Sequence, residues 1–257
     1  MKKKMIAAAL AAVLALTLLA GCAKENKYVR LGVEMSTAGM SLYLTNTAVG
    51  PEKLSNYVFF AESPEECLEK LALEKQGIDI AYVPVETLAL IGPDDPFTVV
   101  FLDTFGTDGS IKGVWLAADR WLTEAPTYSA RFLRSLAKCL DYRAEHLSMS
   151  YPDALASVVG MRDFDFAVQN EVMQFCAIFA AQNNDKLADE PFTVMGLDEM
   201  AAAFAGEGAK DKGPGWQRVW NVYQRYGAGT GKTMPELFRL ELMQQALCEA
   251  QEARDAE

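Results

Sequence analysis

Histidine is almost missing from this chain: His146 is the only one in 257 residues. A Ser-His-acid triad needs that base beside a nucleophile. His146 instead closes an amphipathic segment with no nucleophile motif near it, where the end of a helix favours a charged imidazole and a capping role. No G-x-S-x-G string occurs. Cys-x-x-Cys spacing is also absent, so with one histidine a zinc site has no ligand set. Basic residues are outnumbered, 24 Lys and Arg against 35 Asp and Glu. That excludes the basic footprint a nucleic acid requires and electrostatic docking on anionic lipid. The pairs Glu65/Glu66 and Asp94/Asp95 fall in a helix start and a loop, where carboxylates serve as caps and solvated faces. Gly229-Thr230-Gly231-Lys232-Thr233 imitates a phosphate loop, but the required first glycine would stand at 226, which is Tyr226. The sequence has no internal repeat. These absences point away from an enzyme, and no cofactor and no metal are expected.

What is present begins at the N-terminus. Lys2, Lys3 and Lys4 precede an apolar run from Met5 to Ala20. A basic head, a short apolar segment and small residues before a cut site make an export signal. The run is shorter than the roughly 20 apolar residues a spanning helix takes. It ends Leu19-Ala20-Gly21-Cys22, which resembles the bacterial lipobox. There the cysteine thiol receives a diacylglyceryl group and cleavage falls just before it. The reading is a signal peptide over 1–21, lipid at Cys22, a polar tether over 22–27, and a protein held on the outer face of a bacterial cell membrane. Two or more acyl chains give stable anchoring where one is marginal. Without residues 1–21 the chain carries 21 basic and 35 acidic groups, a net of −14. Cys67, Cys139, Cys176 and Cys248 lie in helical-looking segments with apolar neighbours. They read as small buried thiols, with one disulfide between distant cysteines as the alternative in an oxidising compartment.

Along the chain, YVRLGVE (28–34) and YVFF (57–60) suit strands. Ser63-Pro64-Glu65-Glu66 opens a helix with a cap, a proline at its first position and a capping-box glutamate. IDIAYV (78–83) is a third strand stopped by Pro84, so strand, helix and strand form a βαβ unit. A short helical turn is expected over 86–91, FTVVFL (97–102) is the most strand-like run, and 111–118 is another strand. Residues 128–145 carry Phe132, Leu133, Leu136 and Leu140 on one stripe, an amphipathic helix. A helical pattern continues from Ser150 to about Ala181, then a short strand (192–195) and a short helix (197–205). The Gly- and Lys-rich stretch 206–232, with Trp216 and Trp220, reads as a flexible loop with one short helix, and 233–257 as a C-terminal helix behind a capping box at Thr233 and Glu236. The fold class is α/β with a mainly parallel sheet and a helix-rich C-terminal half.

Open α/β sheets bind ligands beyond the carboxyl ends of their strands. That rule selects Ser36 and Thr37 after the first strand, Glu86 and Thr87 after the third, and Asp103 after the fourth. Ser36 and Thr37 add hydroxyls and backbone amides at a helix start, which suit an anion. Tyr82 or Phe105 could cover an apolar part. The same residue types also serve as ordinary caps and turns.

The lipobox, YVRLGVE with its Ser/Thr-rich turn, and GIDIAYVPVETLALI (77–91) together resemble the substrate-binding proteins of ABC importers, in the sulfonate, taurine, nitrate and thiamine-precursor class. VWLAADRWLTEAPTYSARFLRSLAKCLDY (114–142) and Tyr151-Pro152-Asp153-Ala154 are similar to that family's strand, turn and helix start. The resemblance covers 28–205 and implies a periplasmic-binding-protein-like lobe (type II). It also implies capture of a small anionic or sulfur-containing solute, and delivery to an ABC permease. The chain departs from the family between Asp103 and Ile111, where no second βαβ set fits, so a reduced or helical second lobe is expected. A non-transport surface lipoprotein acting as a binding or scaffold module is the alternative.

Overall fold

The protein was analysed as a computed structural model, which describes residues 29–34, 56–61, 63–104, 110–146, 195–205 and 214–256. Five strands form one sheet: β1 (Val29–Glu34), β2 (Asn56–Ala61), β3 (Ile80–Pro84), β4 (Phe97–Asp103) and β5 (Gly113–Ala118). Their order is β2-β1-β3-β5-β4. β1 pairs in parallel with β2 and β3, whereas β5 is antiparallel to both β3 and β4. The sheet is thus mixed: four strands share one direction and β5 alone opposes them. A hairpin from β4 turns the chain back into the sheet, and strand direction is something hydrophobic periodicity does not carry.

β4 and β5 are buried at every position, and β3 at all but Pro84. Such continuous apolar runs belong to a sheet covered on both faces. On one face lies helix α1 (Pro64–Ala72), burying Cys67 and Leu71. It starts as its sequence dictates, with the Ser63 hydroxyl accepting from the Glu66 N–H at 3.4 Å and Pro64 in the first turn. The other face carries an aromatic relay. Tyr82 meets Trp115 edge-on at 5.4 Å, and Trp115 meets Phe132 at 6.0 Å. Trp121 closes on the same Phe132 at 6.1 Å. Trp121 comes from α2 (Asp119–Glu124) and Phe132 from α3 (Pro126–His146). Beyond residues 147–194, the chain returns in α4 (Leu197–Met200) and the wider turn Ala201–Ala205.

The expected loop over 206–232 is helical in its described part: α5 (Pro214–Val222) runs on through turns at Tyr223–Gly227 and Ala228–Thr230. The single C-terminal helix expected over 233–257 is two, α6 (Met234–Leu237) and α7 (Leu240–Asp255). The break has a tertiary cause. Phe238 forms a bridge with Val99 on the outer edge of β4, and the Arg239 N–H donates to the Val99 carbonyl at 2.8 Å. Lys232 reaches the same edge, its ammonium donating to the carbonyls of Asp95 and, at 3.2 Å, Phe97. This spends the lysine of the phosphate-loop look-alike on backbone, and a left-handed Gly231 (φ 79) turns the chain for it. The capping box at α6 forms, with Glu236 accepting from the Thr233 N–H at 2.7 Å and hydroxyl at 2.8 Å. Those bonds hold the Glu236 carboxyl below the ordinary glutamate value.

Of the cysteines, Cys67 and Cys139 are buried as expected, but Cys248 is exposed on the outer face of α7. Cys176 and Cys22, the cysteine of the lipobox-like string, lie outside the described residues, as does the segment 147–194 on which the expected second lobe turns. Among the described residues no helix is long and apolar enough to cross a membrane.

Candidate functional site

The carboxyl ends of β1 to β4 and the start of β5 share one edge of the sheet. Asp103, the last residue of the outermost strand β4, is 1% exposed, and its Oδ2 accepts from the Tyr82 hydroxyl at 3.0 Å, across β5. Tyr82 is fully buried. The sequence offered it as apolar cover; here its phenol is a polar partner deep in the edge. Gly113 makes that placement possible, because a Cβ there would lie 1.9 Å from the Tyr82 hydroxyl oxygen. Beside them Thr104 is also buried and accepts from the Met195 N–H at 3.4 Å. The Lys112 N–H donates to the Asp103 carbonyl, and the Val85 N–H to the Lys112 carbonyl, both at 2.9 Å. These bonds knit the ends of β3, β4 and β5 together.

Residues 85–90 form a 3-10 turn directly after β3. Glu86 is exposed on it. Thr87 is 3% exposed, and its hydroxyl is the one buried side-chain polar atom among the described residues with no hydrogen-bond partner. A buried hydroxyl without a partner costs free energy that an apolar side chain would not. Such orphans mark either strain or a place kept for a ligand group. Thus Asp103 is buried at the end of β4, Thr87 is buried in the 3-10 turn that follows β3, and Glu86 is exposed on that turn. Ser36 and Thr37 lie outside the described residues. Tyr82, Thr104 and Gly113 were not singled out as polar site residues by sequence, because what joins Tyr82 to Asp103 past Gly113 is a contact across strands.

A hollow of about 700 Å³ lies at the opposite edge and is lined in part by Pro93, Thr98, Asp119, Lys232, Glu236 and Arg239. Its size is not a reason to prefer it. Lys232 and Glu236 are committed to backbone and capping bonds, and Asp119 accepts from the Thr98 hydroxyl at 3.4 Å. The same edge holds a structural knot. Asp79, 2% exposed, accepts from Arg30 through its backbone N–H (2.9 Å), Nε (3.1 Å) and an Nη (2.7 Å), and from an Arg120 Nη at 2.9 Å. Arg120 also donates to the Ile78 and Leu73 carbonyls. Every charged group in this knot is already answered. Among the described residues no cluster of three or more His, Cys, Asp or Glu could hold a metal.

The chain has a periplasmic-binding-protein-like α/β fold. Two solved structures agree with it over nearly their whole length. One is the ligand-binding component of an ABC-type import system from Staphylococcus aureus with zinc bound. It superposes with a TM-score of 0.50 and 7% identity, over 86% of this chain and 99% of that one. The other is the periplasmic nitrate-binding protein NrtA from Synechocystis PCC 6803, with a TM-score of 0.53 and 9% identity over 87% and 89% of the two chains. No protein-family profile matches the sequence, and no curated protein matches it.

Proposed function

We propose that this protein is the substrate-binding lipoprotein of an ABC importer. It is exported, anchored through lipid at Cys22, and captures a small anionic or sulfur-containing solute for a membrane permease without chemistry of its own. The observation that carries this reading is the fold shared with 99% of the ligand-binding component of an ABC-type import system and 89% of a periplasmic nitrate-binding protein. Buried polar groups at the strand-end edge support it. Thr87 offers an unanswered hydroxyl in the turn after β3, and Ser36 and Thr37 follow β1 in the sequence. The net charge of −14 does not oppose an anionic ligand, since exposed charges beyond roughly 8 Å are largely screened at physiological salt.

Thermal-shift assays of residues 23–257 against sulfonates, nitrate, bicarbonate, thiamine precursors, amino acids and short peptides test this. A ligand at 100 times Kd adds about 2.7 kcal/mol, which at about 2–4 °C per kcal/mol raises Tm by about 5–11 °C. One chemical class is expected to give that shift, and Ser36→Ala with Thr37→Ala to abolish it. Thr87→Val is expected to leave the unliganded Tm unchanged or higher while shrinking the ligand shift. A Thr87→Val protein that binds as well as the parent would remove Thr87 from the site.

The alternative, a surface lipoprotein that binds other proteins, is favoured by one observation. Trp220 is 41% exposed, stacked on Tyr223 at 5.8 Å, and shares a hollow with Trp216. Absence of any solute shift together with retained affinity for cell-surface proteins that Trp220→Ala abolishes would turn the reading to it.

A further inference from the structure

We infer that Arg254, in the last turn of α7, is a latch: it clips the chain leading into α4 onto the end of β4, so that charge at an exposed surface controls a contact at the buried Thr104. The inference needs the fold alone and holds whatever solute the protein takes. Met195 and Gly196 lead into α4, and a short set of bonds fixes them. The Met195 N–H donates to the Thr104 hydroxyl at 3.4 Å. The Leu197 N–H donates to Oδ1 of Asp141, on α3, at 2.6 Å. Asp198 accepts from one Nη of Arg254 at 2.6 Å and from the Gln251 amide at 3.0 Å. The other Nη of Arg254 donates to the second oxygen of Asp141, Oδ2, at 3.0 Å. One guanidinium thus forks across a carboxylate of α3 and a carboxylate of α4, which its planar donors can do and an ammonium cannot. The bond at Thr104 is the longest of the set and joins neutral groups. Those at Asp141 and Asp198 involve charged groups and are the stronger class. Thr104 is fully buried, whereas Asp198 and Arg254 are exposed. Leu197, Met200 and Phe204 are buried, and the Gln244 amide donates to the Phe204 carbonyl at 2.9 Å. That apolar face keeps α4 docked when the latch opens, so only the run from Met195 to Asp198 is released. Exposed ion pairs weaken in salt, where the screening length falls to roughly 3 Å at about 1 M. The latch therefore answers to ionic strength.

Hydrogen exchange of the full chain, resolved to single amides, tests this. Arg254→Met is expected to speed exchange of the Met195 and Leu197 amides about 2- to 30-fold, the scale of losing two exposed ion pairs. The amides of β3 and β5 are expected to exchange as in the parent. In the parent the Met195 and Leu197 amides should also speed up as NaCl rises from about 0.05 to about 1 M, and in Arg254→Met they should not. Arg254→Lys keeps the charge without the fork and is expected to fall between the two. Asp198→Asn should act in the same direction, and adding it to Arg254→Met should change little more, because the two residues touch. Faster exchange at Leu197 with none at Met195 would overturn the link to Thr104. Salt acceleration that persists undiminished in Arg254→Met would overturn the latch, and so would equal acceleration throughout β3 and β5, which marks a global loss of stability.

Discussion

Replacing Asp79 by asparagine keeps the shape of the side chain and removes its charge, leaving an amide N–H2 among guanidinium donors. Asp79 is 3% exposed at its side chain, while Arg30 and Arg120 are 25% and 20% exposed. Removing one partner of a buried ion pair costs about 3–5 kcal/mol, because the other charge stays behind unpaired. Here the arginines keep some solvent, and Arg120 keeps its bonds to the Ile78 and Leu73 carbonyls. The expected loss is therefore at the lower end, about 3 kcal/mol. At about 2–4 °C per kcal/mol for a chain of this size, Tm should fall by about 6–12 °C. Urea denaturation followed by circular dichroism reads the same loss as a lower midpoint with an unchanged slope. Arg30→Met alone should cost less, since Arg120 still answers Asp79. The double variant should be less destabilised than the sum of the singles, by at least about 0.5 kcal/mol for residues in direct contact. A loss below about 1 kcal/mol for Asp79→Asn, or additive singles, would show that the knot behaves as a surface ion pair and that this reasoning is wrong.

Lys232→Met should lower the unfolding free energy by about 1–3 kcal/mol, because two backbone carbonyls lose a charged donor; the parent should show no affinity for ATP in calorimetry, since that ammonium is already spent. Gly113→Ala should destabilise by about 1–3 kcal/mol or more through overpacking against Tyr82, and Tyr82→Phe in the same chain should recover part of the loss in denaturant melts. Glu236 has a folded-state pKa below its ordinary 4.5, so its contribution is full above that value and lost as pH falls through the folded one. Glu236→Gln should then flatten the stability–pH curve below about pH 4.5 and leave its slope at pH 7 unchanged; equal slopes for both proteins at low pH would contradict this.

The sequence carried the local half of the structure. β1 and β3 announce themselves by apolar runs between turns, and α1 by Ser63, Pro64 and Glu66, all within a few residues of one another. What it did not carry is pairing across distance. Asp79 lies 49 residues from Arg30 and 41 from Arg120, and nothing in either neighbourhood marks them as partners. The helix expected to run unbroken from Thr233 is interrupted because Phe238 finds Val99, a contact no helical periodicity contains. Cys248 sits among apolar helix residues yet faces outward, since α7 buries Met243, Ala246, Leu247 and Ala250 instead. The strand-end rule selects Asp103 and Thr87, and both are buried. The phenol of Tyr82 was not legible, because an aromatic in a strand reads as core until its bond to Asp103 across the sheet is known.

The outer edge of β4 has a consequence for crowding. An open edge strand offers unpaired carbonyls to any strand that drifts past, and neighbouring copies of the same chain are the nearest source. Here Lys232 and the Arg239 amide already occupy the carbonyls of Asp95, Phe97 and Val99. Proteins concentrated together on a surface would meet at a closed seam instead of a template. Proteolytic nicking between Gly229 and Arg239 should therefore do more than loosen the fold; it should make the protein self-associate.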